Sequence, residues 1–403
     1  MTLLLSLVGM LALMFIAWLA SENRRAIRWR TVLGALALQT GFAALVLYFP
    51  PGQIMLGAMS NGVSALLGFA DSGIRFVFGD LASNGFIFAV RVLPLVIFIS
   101  ALIAVLYHFG IMQWVIRVLG GGIHRLLGTS RAESLVATGN IFLSQGESPL
   151  LIRPFLAGMT RSELFAVMTC GMASVAGSVL GGYAGLGVDL KYLIAASFMA
   201  APGGLLMAKL LVPEQQQVRE QAEITLDKSD YSNAIDALAG GAMSGMKIAV
   251  AIGTILLAFV SVITMINAGL TTVGEWFGWA DLSLQQLLGY LFAPVAWLIG
   301  VPASEMMAAG SLIGQKVIMN EFVAYLDFAN IKQDLSAHTQ IIITFALCGF
   351  ANLGSIAVQL GSIGTMAPER RHDVASLGFK AVLAATLANL MSATLAGLFA
   401  SLG

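Results

Sequence analysis

The sequence predicts an all-α polytopic membrane protein: eight transmembrane helices and two re-entrant hairpins, with interfacial helices and an inverted repeat. Three observations carry this reading. Of 403 residues, 58% are hydrophobic and 10% charged, against about 25% charged in soluble domains. Mean hydropathy is +0.88, and several apolar runs reach the ~20 residues that cross a bilayer. Finally, Cys170-Gly171-Met172-Ala173-Ser174 recurs as Cys348-Gly349-Phe350-Ala351-Asn352. Each copy follows a hairpin bearing an acidic residue, Glu147 or Glu321, and precedes an apolar helix carrying Met-Ala-Ala or Met-Ser-Ala.

The elements follow in order. Residues 1–20 are apolar without a basic leader or a small-residue cleavage site, which predicts a retained first helix. A link with four arginines (21–30) leads to helix two (31–49), ended by Pro50-Pro51. Residues 53–80 mix Asn61, Asp71 and Arg75 with apolar residues and suit a helix along the interface. Helix three spans 85–109. Residues 112–128 are amphipathic, with Arg117, His124 and Arg125 on the polar face, again interfacial. The first hairpin covers 130–160. Helix four (162–182) is interrupted by Gly171, Ser174 and Gly177, and helix five covers 189–211. A charged linker (213–236) precedes helix six (237–268) and a loop at Trp276–Trp279. A second interrupted unit (284–328), a broken helix seven (338–358) and helix eight (374–402) complete the chain.

The expected organisation is a scaffold over 1–128, a first transport repeat over 129–212 and a cytoplasmic linker over 213–236. Helix six (237–270) returns to the scaffold, and 284–403 forms the second repeat. A hairpin that does not cross leaves two crossings per repeat, so one extra helix between the copies inverts the second. That arrangement places secondary-transport sites at the membrane midplane. Basic residues concentrate in the links after helices one, three, five and seven, including Arg219 and Lys228 of the long linker. By the positive-inside rule both termini face outward, and the lean loops suit a bacterial inner membrane. Zero formal net charge leaves no electrostatic footprint for nucleic acid.

The polar stretch at 139–150 holds Asn140, Ser144, Gln145, Glu147 and Ser148 between apolar runs. Inside a membrane such backbone is tolerated only where protein or a cavity satisfies it. Glu147 and Glu321 are the sharpest candidates, because an acid at membrane depth costs at least ~2.5–3.5 kcal/mol and marks a functional site by default. Lys316 or a backbone donor neutralising the charge is the structural alternative. Carboxylates accept from O–H and N–H groups, so two of them suit a ligand rich in such donors. Asn140 and Ser174, with carbonyls freed by unwound turns, offer the hard oxygens that alkali and alkaline-earth cations prefer; interhelical hydrogen bonding explains them equally well. Asn352 and Ser355 occupy the mirrored break.

Other chemistries lack their signatures. There is no Gly-x-x-x-x-Gly-Lys-Ser/Thr loop for ATP and no His-Glu-x-x-His, and an intramembrane hydrolase needs a nucleophile–base pair that His108, His124, His338 and His372 do not supply. The protein is read as a carrier, not an enzyme, without an organic cofactor.

At these residues the chain resembles the concentrative nucleoside transporter family over nearly its whole length. The most specific motif is Gly314-Gln315-Lys316 followed by Asn320-Glu321-Phe322-Val323-Ala324-Tyr325. The Gln145-Gly146-Glu147-Ser148-Pro149 tip, the Gly-Val-Pro-Ala-Ser-Glu run at 300–305, and Phe350, Asn352 and Ser355 add to it. The resemblance implies a homotrimer that imports nucleosides with a cation gradient by an elevator-like motion. It further implies that Gln145, Gly146, Glu147 and Val179 face the nucleobase. Glu321, Asn352 and Ser355 would hold the ribose, with Phe350 lining the pocket. Sodium would bind the side chains of Asn140 and Ser174 and the carbonyls of Leu143 and Val175. The family tip usually reads Gln-Thr-Glu or Gln-Ser-Glu; Gly146 removes that hydroxyl and opens space, while Ser144 inclines the reading toward pyrimidines. Sodium-coupled symport leads, a proton-coupled symporter in which Glu147 or Glu321 titrates is the alternative, and an intramembrane enzyme or channel stands third.

Overall fold

The computed structural model describes residues 2–83, 86–218, 231–279 and 282–402; Arg219 and Lys228 lie outside them. The described chain is helical throughout, without a strand. Its helices are α1 (Thr2–Leu19), α2 (Trp29–Leu47), α3 (Pro50–Phe78), α4 (Phe88–Arg91), α5 (Leu93–His108) and α6 (Ile111–Leu127). Next come α7 (Arg131–Gly139), a 3₁₀ segment (Ser148–Gly158), α8 (Arg161–Ala173), α9 (Gly177–Gly185) and α10 (Leu190–Leu211). The remainder is α11 (Ala234–Trp276), α12 (Leu284–Leu298), α13 (Met306–Ile318), α14 (Glu321–Ile331), α15 (Ala337–Leu347), α16 (Gly354–Met366) and α17 (Arg371–Ala400).

Among the described residues, seven helices are long and apolar enough to cross a membrane. Expected helix seven is split into α15 and α16 by its break, and each half is short. Conversely, α3, expected at the interface, is 29 residues long and meets the length criterion. The return arm of the first hairpin is a 3₁₀ segment, with Pro149 and Pro154 removing N–H groups that an α-helix would use. Helix six is far longer than read from the sequence, at 43 residues.

Burial sorts the helices into an inner and an outer set. The most apolar windows of α10, α8–α9 and α17 are 94%, 89% and 83% buried, against 22% for α11 and 11% for α3. The outer faces carry exposed Phe76, Met265 and Phe69, which lipid or a second copy must cover. Inside, α8, α10, α17, α2 and α15 pack together. Close crossings use glycines four apart. A Cβ at Gly241 or Gly245 of α11 would lie 2.8 Å from the Ala101 Cα or 2.7 Å from the Ile97 Cα of α5. Gly310 and Gly314 of α13 meet α12 in the same way, the small-xxx-small packing of membrane helices.

The element order of the second half repeats that of the first. An outer helix (α6, α12) precedes a chain reversal (α7 with its 3₁₀ arm, α13 with α14). A broken helix (α8–α9, α15–α16) and a long inner helix (α10, α17) follow. Cys170 and Cys348 are both buried free thiols.

Candidate functional site

The site is built where α8 and α15 stop. Helix α8 starts on a capping box, Thr160 with Glu163, and ends at Ala173; Ser174 turns to extended backbone and α9 restarts at Gly177. The freed backbone groups find partners across the break, as burial requires. The Gly177 N–H donates to the Phe142 carbonyl at 3.0 Å, and the Phe350 N–H donates to the Ser174 carbonyl at 3.1 Å. Hence the first hairpin tip caps α9, and the second break docks on the first.

The two broken ends also share a polar clamp. Asn389 of α17 donates from Nδ2 to the carbonyls of Ala173 (2.6 Å) and Cys348 (3.1 Å). Lys316 Nζ donates to Asn389 Oδ1 (2.5 Å) and the Ala346 carbonyl (2.9 Å). These donors satisfy carbonyls left open at the ends of α8 and α15. Gly349 is required at this junction: a Cβ would lie 2.3 Å from Asn389 Oδ1 and 2.7 Å from the Ala173 carbonyl oxygen. Lys316 is therefore occupied by the clamp, and no Lys316–Glu321 ion pair forms among the described residues. The structural alternative for Glu321 does not hold for that partner.

Glu321 opens α14 behind the Asn320 N-cap and is 4% exposed. It accepts from the Tyr183 hydroxyl (3.0 Å) and Asn352 Nδ2 (3.3 Å). Asn352 Oδ1 accepts from the Ser355 N–H (2.9 Å), and Ser355 Oγ accepts from Gln145 Nε2 (2.8 Å). Gln359 Nε2 donates to Gln145 Oε1 (3.3 Å). A continuous buried chain thus runs from the first hairpin tip through the second break to Glu321. Gly171, the counterpart of Gly349, lets this happen: its Cβ would sit 3.1 Å from the Gln145 Cβ.

Glu147 faces elsewhere. Its Oε2 accepts from the Ser144 N–H (3.0 Å) and Oγ (2.8 Å), which leaves Oε1 free of those donors. It lines a cavity of about 550 Å³ with Tyr107, Phe142, Leu143 and Ser178, and Glu321 is not part of that lining. Ser100 and Tyr107 of α5 also line it, with buried hydroxyl oxygens that lack partners. Val179 of α9 is 4% exposed and Phe350 half-buried. Gly146 has room: the nearest atoms to an added Cβ are 3.9 Å away.

Asn140 closes α7 and is wholly buried. Its Nδ2 donates to the Val136 carbonyl at 2.9 Å, while Oδ1 has no partner. Ser174 Oγ makes one long bond, 3.4 Å, to the Gly171 carbonyl. Leu143 and Val175 sit in non-helical backbone beside them. An orphaned amide oxygen and a weakly held hydroxyl, next to two unwound turns, fit a small cation with hard-oxygen preference. Sequence reasoning missed Tyr183, Gln359 and Asn389. A tyrosine or amide within an apolar helix was their signal, but only tertiary structure selects which ones point inward.

Broken helices meeting at buried amides, hydroxyls and a carboxylate inside a helical membrane protein define a transporter of small polar solutes. The comparisons make the family explicit. The C-terminal model of the Na⁺ dependent nucleoside transporters matches residues 192–397, the N-terminal model 8–81, and a nucleoside recognition gate model 89–189. The nucleoside permease NupC of Helicobacter pylori is 46% identical over 412 residues, covering 99% of this chain and 98% of its own. Human solute carrier family 28 member 3 is 37% identical over 99% of this chain and 60% of its own. CNTnw, solved in an inward-facing substrate-bound state, is 54% identical with a TM-score of 0.96, covering 100% of this chain and 99% of its own. The chain belongs to the Na⁺ dependent nucleoside transporter family and is a nucleoside transporter, not an enzyme.

Proposed function

We propose that the protein imports nucleosides coupled to sodium, as a symporter whose two transport repeats move past a scaffold in an elevator-like cycle. The observation that carries the reading is the chain Gln145–Ser355–Asn352–Glu321. It joins the two repeats through groups suited to base and sugar, beside the orphaned Asn140 Oδ1. The C-terminal ends of α8 and α15 meet on Asn389, the meeting that an inverted pair of repeats produces.

In this reading Gln145, Glu147 and Val179 recognise the base, with space at Gly146, and a pyrimidine fits best. Glu321, Asn352 and Ser355 take the ribose hydroxyls against Phe350. These groups bond one another, so the sugar exchanges with bonds already made and leaves none buried and unpaired. Sodium takes Asn140, Ser174 and the Leu143 and Val175 carbonyls. Because the Ser174 carbonyl receives Phe350 and the Phe142 carbonyl receives Gly177, ordering the ion site orders both walls of the nucleoside site. Ion and nucleoside then raise each other's affinity by the same factor. The functional unit in this reading is a homotrimer in a bacterial inner membrane with periplasmic termini.

Uptake of labelled uridine into proteoliposomes tests the coupling. Accumulation driven by an inward sodium gradient is expected. Accumulation driven by a pH gradient in sodium-free vesicles would instead establish proton coupling, and uptake that never exceeds equilibration would point to a channel.

A further inference from the structure

Helix α6 presents a buried face and an exposed one on which apolar and basic residues interleave. Met112, Ile116, Gly120 and Leu127 are buried against the body of the protein, whereas Trp114, Val118 and Leu126 are 65%, 53% and 63% exposed. Arg117, Gly121 and Arg125, four residues apart, form a strip that starts beside the buried face and runs in among the exposed apolar residues, with Arg125 between Trp114 and Val118. With His124 and with Arg131 at the start of α7, the strip's three residues line a cavity of about 380 Å³. No acidic side chain lines it; the nearby Glu133 is engaged by Lys209 and by the Ser130 N–H.

Two features separate this cluster from ordinary surface arginines. Elsewhere Arg161 and Lys380 pair with Glu22, Arg370 with Asp373 and the Met159 carbonyl, and Arg91 with Asp71; among the described residues Arg25, Arg30 and Arg153 hold no ion pair, but here three arginines share one cavity. Arg117, Arg125 and Arg131 are exposed, and among the described residues none of their side chains has an ion pair or hydrogen bond, although three like charges converge on one cavity. The second feature is the run Gly120-Gly121-Gly122 inside a helix, where each glycine costs up to ~1 kcal/mol relative to alanine. Packing explains Gly120, whose Cβ would press on Leu135 at 3.2 Å, but an added Cβ at Gly121 or Gly122 meets nothing within 4 Å. The glycines keep the cavity floor bare. His124 is oriented by its Nδ1–H, which donates to the Thr129 carbonyl at 2.6 Å.

We propose that this cavity binds the phosphate of an anionic glycerophospholipid. The guanidinium forks of Arg117, Arg125 and Arg131 match phosphate oxygens, and the bare glycine floor admits the headgroup. The exposed Trp114, Val118 and Leu126 take the acyl chains, so the ligand is amphiphilic; a free anion has no use for that apolar strip. Basic pockets beside membrane helices select such lipids. The headgroup bridges α6 to α7, and α7 runs directly to Gly139, one residue before Asn140. Bound lipid therefore steadies the arm that carries the first hairpin tip.

The test is native mass spectrometry of the full chain released from vesicles of equal phosphatidylglycerol and phosphatidylcholine. Wild type is expected to retain phosphatidylglycerol at least fivefold over phosphatidylcholine. Arg117→Gln with Arg125→Gln, and separately Gly121→Leu, which fills the floor without changing charge, should each remove that preference. The charge-matched Arg25→Gln with Arg30→Gln should keep it. Equal retention of the two lipids by wild type would overturn the proposal, as would equal loss in both double variants, which marks bulk attraction. Displacement of the lipid by millimolar inorganic phosphate would reassign the cavity to a free anion. Should a variant fail to fold, the wild-type lipid ratio and the phosphate competition still decide.

Discussion

Glu321 is the residue on which the sugar assignment turns. Its carboxylate accepts from Tyr183 and Asn352, and a hydrogen bond to a charged group contributes about 1.5–3 kcal/mol. Glu321→Gln keeps the shape and removes the charge, so uridine should bind about 10- to 100-fold more weakly by calorimetry; an unchanged dissociation constant would remove Glu321 from the sugar site. Asn140→Ala deletes the orphaned oxygen and should move the sodium midpoint of uridine binding upward by about tenfold, the equivalent of ~1.4 kcal/mol. A midpoint that stays put would exclude that ligand. Gly146→Ser has space, with nothing nearer than 3.9 Å to the new Cβ. It should leave thermal stability unchanged and alter the ratio of uridine to adenosine affinity, and an identical ratio would place Gly146 away from the base. At this scale the sequence was legible where a polar group stood in an apolar run. Glu147, Glu321 and Asn140 could be picked that way; Tyr183 and Gln359 could not, because which face of α9 or α16 turns inward is decided by packing.

Among the elements, the break between α15 and α16 is closely packed. The Gly349 backbone lies against Asn389 and Ala173, so Gly349→Ala overpacks a site that cannot relax, at about 1–3 kcal/mol. Its melting temperature should fall in a detergent thermal-shift assay, while Gly269→Ala in α11, where a Cβ meets nothing within 4 Å, should not lower it. Equal effects would show that the junction is not close-packed. The repeated Cys-Gly motif marked both breaks in the sequence, but not what each glycine serves. Gly171 admits the hairpin tip and Gly349 admits the clamp, a difference that depends on neighbours distant in the chain. The 3₁₀ return arm has its physical cause in Pro149 and Pro154, whose missing N–H groups an α-helix would need.

Across the whole molecule, one extramembrane carboxylate ties three segments. Glu22, in the link between α1 and α2, accepts from Arg161 at the start of α8 (3.0 Å) and Lys380 of α17 (2.9 Å). Partial burial would raise its pKa, but the two cations outweigh that and hold it below the usual carboxylate range. A depressed folded pKa contributes stability above the unfolded value that disappears as pH falls through the folded one. Acid should therefore destabilise wild type more steeply than Glu22→Gln below about pH 4.5, read from melting curves at stepped pH. Parallel curves would show that the pairs are too solvent-screened to matter. Composition alone settled the fold class, and apolar run lengths set most helix bounds. The layering of inner α10 and α17 against outer α3 and α11 was hidden, since all four are apolar and only packing tells a buried helix from one meeting lipid.

Two half-helix tips hang on a single amide, Asn389, as on a peg. A relative's α8–α9 grafted alone would offer the same main-chain carbonyl to the host's Asn389, so the peg dictates where the two tips meet and leaves their side chains free to vary.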